Sequence, residues 1–162
     1  MNLQSNDFEI FDLSPRFELD RATLDERWKS LQREVHPDRH AAADAQTQRQ
    51  AMQWSVRINE AYQRLKDPLK RAAYLCEMNG APVEFLMQQM QWREELEDAS
   101  TLDALERMAD EVAATRRNLL KDLATTADTD KNWPAVAQQV RALMFIERFA
   151  SDVENRMEVL GQ

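Results

Sequence analysis

Glycine occurs only twice and proline only five times in 162 residues. So few turn-formers leave little room for hairpins and tight loops, and they favour long helices with short joins. A single cysteine, Cys76, excludes an internal disulfide and any Cys-rich zinc module. No run of 18 apolar residues occurs, and the opening Met-Asn-Leu-Gln-Ser-Asn-Asp lacks the basic flank and apolar stretch of a signal peptide. The expected compartment is therefore the reducing cytoplasm, with no membrane partner. Positive charge is also short, with 21 Lys+Arg against 29 Asp+Glu and a net charge of −8. A duplex-DNA binder needs a broad basic face, so no nucleic-acid partner is expected. What remains is an ordinary globular balance, 43% apolar and 31% charged.

The negative charge is not shared evenly. Residues 1–76 hold 12 basic and 12 acidic side chains, whereas residues 77–162 hold 9 and 17 and so carry the whole −8. Two modules with different partners are implied. The expected division is a first domain over 1–76, a linker over 77–82, and a second domain over 83–162. Within the linker, Gly80 and Pro82 are helix-end chemistry.

In the first module an apolar segment, Phe8 to Leu13, ends at Ser14-Pro15. Asp20 is a plausible N-cap for a helix whose apolar residues Leu24, Trp28, Leu31 and Val35 share one face. That helix must end at His36, because Pro37 disfavours α geometry in the residue before it. A second stripe runs Ala51, Ser55, Ile58, Tyr62, Leu65, then Asp67-Pro68, then a short helix through Leu75. The second module reads as three helices. One spans about 83–99, one starts at Ser100-Thr101, and one starts near Asn132-Trp133-Pro134. The second stripe is Leu102, Leu105, Ala109, Val112, Leu119, Leu123. The third is Val136, Val140, Leu143, Ile146, Ala150, Val153, Met157, Leu160. No strand-period segment competes, so the fold class is all-α: a helical hairpin with short flanking helices, then an antiparallel three-helix bundle.

His36-Pro37-Asp38 falls at the turn between two predicted helices. A bare tripeptide recurs by chance in about 2% of chains of this length, so context decides its weight. Lys29 and Arg33 lie roughly opposite the apolar stripe at 100° per residue, with Arg27 on its flank. A basic face thus leads into a turn carrying an imidazole and a carboxylate. As a zinc pair His36 and His40 are unfavoured, because Pro37 breaks the helix that would align them. As a catalytic pair His36 and Asp38 lack a nucleophile or oxyanion-donor motif. Neither an enzyme activity, nor a bound metal, nor a cofactor is expected. The helix over 83–99 has one apolar face too many. Phe85, Trp92, Leu96 and Ala99 share its core side, while Val83, Leu86, Met87 and Met90 lie on the other. Phe145 similarly falls off the stripe of the last helix. A Met-containing apolar group of this kind is an adaptable binding surface, unless the first module packs over it.

The assembly of His36-Pro37-Asp38, a basic preceding helix, Ala61-Tyr62, Leu65, Asp67-Pro68, Arg71-Ala72 and Tyr74 resembles the J-domain, the module by which co-chaperones drive ATP hydrolysis in DnaK-like chaperones. That resemblance implies that His36, Pro37 and Asp38 touch the chaperone ATPase, and that Arg27, Lys29, Arg33 and Arg39 face a complementary acidic surface. The further segment Phe85-Leu86-Met87, followed by Arg93-Glu94-Glu95-Leu96, is similar to the HscB-type co-chaperones of iron–sulfur cluster assembly, over nearly the whole chain. This second resemblance implies two partners, an IscU-like scaffold held by the bundle and an HscA-like chaperone that receives it. The implied scaffold contacts are Leu86, Met87, Met90 and Phe145, with Glu94 on the polar rim. Other readings are a J-domain serving a different client, or a purely structural helical adaptor.

Overall fold

Asp20 accepts a hydrogen bond from the Ala22 amide at 3.2 Å and opens a helix that ends at Val35, just before the extended His36. In the computed structural model, which describes residues 2–83 and 90–161, this pattern repeats where Asn6, Asp44, Thr101 and Asn132 each accept from a backbone amide at the start of a helix. The chain divides into two compact units, Met1–Leu75 and Cys76–Gln162. Among the described residues there is no strand.

The first unit contains α1 (Asp7–Ile10), α2 (Arg21–Val35), a 3₁₀ turn over Pro37–His40 and α3 (Ala45–Lys66), and α4 (Pro68–Met78) includes the boundary. The Phe8–Leu13 segment, read from sequence only as apolar, is a single helical turn capped by Asn6, and it buries Phe8, Ile10 and Phe11. Helices α2 and α3 run antiparallel. Asp25 meets Tyr62, Trp28 stacks on Tyr62 with centroids 4.6 Å apart, and Gln32 pairs with Ser55. Leu24, Ala51, Ile58, Ala61, Tyr62 and Leu65 fill the space between. Fully burying a side chain of Leu24's size stabilises by roughly 1.5–3 kcal/mol.

Polar atoms join the rest of this unit. Asp7, fully buried, lies 2.8 Å from the Arg57 guanidinium and 3.2 Å from that of Arg64. Arg57 also donates to the carbonyls of Leu3 and Ser5, and Arg71 donates to those of Phe17 and Leu65. A buried carboxylate is tolerable only with such partners.

The second unit contains α5 (Met90–Asp98), α6 (Leu102–Ala124), a π turn over Thr125–Thr129 and α7 (Trp133–Leu160). Thr101 rather than Ser100 caps α6, accepting from the Ala104 amide at 3.2 Å. Asn132 caps α7 in the same way. Helices α6 and α7 are antiparallel, since Arg116 reaches Glu147 while Gln139 reaches Thr126. Val112, Ile146, Phe149 and Val153 form a core cluster on which Leu96, Met108, Ala109, Leu119 and Met157 pack. The apolar stripes hold except at their ends. Leu102 and Leu160 are exposed, each in a terminal turn of its helix.

The expected linker over 77–82 overlaps the end of a helix. Glu77 and Met78 belong to α4, which closes two residues later: Gly80 takes a left-handed φ of 75° and the Ala81 amide reaches back to the Cys76 carbonyl at 2.9 Å. That is the six-to-one closure of a glycine-terminated helix, in which the stop residue lies beyond the last helical turn.

Candidate functional site

The polar corner is built by its own backbone. Pro37 forces His36 to φ −56°, ψ 135°, so the chain leaves α2 sharply and enters the 3₁₀ turn. His36 then acts as cap: its Nδ1 accepts from the Asp38 amide at 3.2 Å. An accepting Nδ1 assigns the proton of the neutral ring to Nε2, which makes that atom the outward donor. The Asp38 carboxylate lies 3.7 Å from Nδ1 and is 94% exposed, against 58% for the His36 side chain. Donor and acceptor therefore stand side by side in solvent, fixed by a local bond.

Of the basic residues expected beside the corner, Lys29, Arg33 and Arg39 are exposed. Lys29 and Arg33 line a shallow groove of about 340 Å³ along α2 with Glu26, Arg27 and Ser30. Arg27 is engaged differently. Its Nη1 donates to the carbonyls of Phe11 and Asp12 at 2.7 and 2.6 Å, pinning the segment after α1, where Asp12 has a left-handed φ of 53°. Sequence periodicity placed Arg27 on the flank of the basic face. It could not reveal two carbonyl partners 15 and 16 residues upstream. Farther along the same hairpin, hydrogen bonds from Arg21 and then Tyr62 hold the Asp25 carboxyl below the usual carboxylate range.

The expected apolar surface of the second unit is less fully covered. Leu86 and Met87 lie outside the described residues, as do Phe85 and the side chains of Pro37, Met90 and Trp92. Met90 is described as the first residue of α5, and Glu94, one turn on, is exposed. Phe145 is half-buried. Its ring stacks on Phe149 at 5.9 Å and packs against the core cluster, so one side is anchored in the bundle. Its neighbour Met144 is exposed and was not anticipated. An i, i+1 pair on a helix points in different directions, and periodicity alone gave Met144 no weight.

Among the described residues, no group of three or more His, Cys, Asp or Glu is placed to hold a metal ion, and His40 directs Nε2 to the Glu34 carbonyl at 2.9 Å. Cys76 is buried, its thiol pushed up to about 11 by desolvation. Among those same residues, no helix is long and apolar enough to cross a membrane.

Comparison with known proteins bears on the whole chain. Residues 81–154 match the family model described as the HSCB C-terminal oligomerisation domain. The chain is 43% identical over 173 residues to a Co-chaperone protein HscB homolog of Burkholderia multivorans, covering 99% of this chain and 98% of that protein. A homolog of the same name from Paraburkholderia xenovorans is also 43% identical, over 98% of each chain. Among solved structures, the chaperone HscB from Vibrio cholerae superposes with a TM-score of 0.86 at 39% identity, over 96% of this chain and 99% of that one. The human co-chaperone protein HscB shares the fold, with a TM-score of 0.81 at 22% identity. The relatives named here are co-chaperones, which are not enzymes. A capped helical hairpin with a polar corner, followed by an antiparallel bundle, is thus matched from end to end, and the chain belongs to the HscB co-chaperone family.

Proposed function

We propose that this protein acts in iron–sulfur cluster assembly by binding an IscU-like scaffold through its C-terminal bundle and delivering it to an HscA-like chaperone of the DnaK class. The N-terminal unit acts as a J-domain over residues 1–76, in the cytoplasm, and stimulates the chaperone's ATP hydrolysis. The observation that carries this reading is the exposed His36–Asp38 pair, held in shape by the Nδ1 bond to the Asp38 amide. A preformed pair lowers the ordering cost of docking. Lys29, Arg33 and Arg39, with their charge in solvent, speed encounter with an acidic surface and set its orientation. On the bundle, Leu86, Met87, Met90 and Phe145 form the apolar contact and Glu94 its rim. Because both activities sit on one chain, a bound scaffold is presented to the chaperone at high effective concentration.

The test is steady-state ATPase of an HscA-like chaperone with this protein, with and without an IscU-like scaffold. His36→Gln abolishes stimulation and leaves scaffold binding intact; loss of both at once contradicts the division of labour. Leu86→Ala, Met87→Ala and Phe145→Ala together weaken scaffold binding with helicity retained; an unfolded bundle assigns these residues to the core instead. The oligomerisation named in the matching family description favours a second use of residues 81–154, pairing of two copies. Sedimentation equilibrium distinguishes the two, since a monomer at all concentrations removes the second.

A further inference from the structure

The stretch that follows the corner is tied down by two side chains outside the His-Pro-Asp signature. Gln48, in the first turns of α3, donates its carboxamide Nε2 to the carbonyls of Ala41 at 3.0 Å, Ala43 at 3.1 Å and His40 at 3.4 Å. His40 directs its ring Nε2 to the Glu34 carbonyl at 2.9 Å, in the last turn of α2. Backbone bonds alone close this region only locally, from Arg39 to His36 and from Ala43 to His40. Gln48 thus joins the loop to α3, and His40 joins the 3₁₀ turn to α2. His36 and Asp38 stand between these two ties.

We infer that Gln48 and His40 are positioning residues for chaperone docking: they hold the 36–43 stretch in one conformation, so that His36 and Asp38 meet the ATPase already arranged. This rests on the J-domain reading above. Neither residue needs to touch the chaperone. Each fixes a backbone that otherwise populates several states, and the apparent affinity of a site falls with the fraction of molecules in the competent state. Asp44 caps α3 independently, accepting from the Thr47 amide at 2.7 Å, so the helix does not depend on Gln48 to begin.

Gln48→Met in the full chain is the discriminating variant, because it keeps side-chain length, neutrality and helix propensity while removing both donors. The half-maximal concentration for stimulating an HscA-like chaperone should rise about fivefold, the scale of one net hydrogen bond. Maximal stimulation at saturation should be retained, and the thermal midpoint should stay within about 2 °C of wild type. Backbone ¹⁵N order parameters of residues 36–43 should fall, which a merely structural role for Gln48 in α3 does not produce. Should Gln48→Met fail to fold, His40→Phe removes the second tie with little change of shape and carries the same expectations. An unchanged half-maximal concentration with unchanged order parameters overturns the inference. So does a lowered maximum at an unchanged half-maximal concentration, which assigns Gln48 to direct contact. If the wild-type chain gives no stimulation, the J-domain reading fails, and the order parameters alone decide whether Gln48 and His40 set the corner.

Discussion

In residues 1–75 arginines do much of the joining. Arg57 and Arg64 enclose the buried Asp7, Arg27 holds the carbonyls of Phe11 and Asp12, and Arg71 holds those of Phe17 and Leu65. The second unit relies on long apolar stripes, Val112 from α6 meeting Ile146, Phe149 and Val153 from α7, with the Arg116–Glu147 pair at 3.1 Å on the flank. Element length explains the difference. A four-residue helix such as α1 is too short to be held by its own backbone bonds, so directional bonds from arginines join the burial of Phe8, Ile10 and Phe11 in fixing it. Helices of 23 and 28 residues bury a continuous face and need few such bonds.

Four substitutions sharpen this contrast. The largest effect is expected in the apolar unit: Phe149→Ala, which empties a site only 2% exposed, should destabilise that unit by about 3–5 kcal/mol in urea unfolding. Asp7→Asn leaves two guanidinium groups facing a neutral amide and should lower first-unit stability by about 3 kcal/mol. Helicity of the second unit should persist at urea concentrations where the first has unfolded; a loss under 1 kcal/mol would mean that apolar packing, not charge, holds α1. Arg27→Met keeps the aliphatic stem but leaves two carbonyls without their donor, a loss of about 2 kcal/mol, read by faster amide exchange around Phe11 and Asp12. The smallest effect concerns Asp25, whose carboxyl is held low first by Arg21 and then by Tyr62. Because its folded value lies below the unfolded one, its contribution is present above the unfolded carboxylate value and lost as pH falls through the folded one. Arg21→Met should flatten acid unfolding of the first unit in that window and leave the second unit's acid profile unchanged.

The same contrast explains what could be read from sequence. Asp20 as a cap, His36 as a stop and the stripes of α6 and α7 depend on neighbours within a few residues, and each was legible. Asp7 stands about 50 residues or more before Arg57 and Arg64, and charged residues read one at a time look solvated. Phe149 escaped because a narrow stripe was drawn along α7, whereas the core takes a wider arc that includes both Ile146 and Phe149. At the corner, the His36–Asp38 pairing was visible as a motif. The ties from Gln48 and His40 depend on how the loop folds back, which spacing does not encode.

Cys76 has a consequence for how the protein is handled. With its sulfur enclosed and its thiol pushed up to about 11 by desolvation, Cys76 should react slowly with maleimides at neutral pH. A cysteine introduced at an exposed position such as Arg39 would therefore take up a fluorophore ahead of Cys76, and the label would test the docking proposed for the corner.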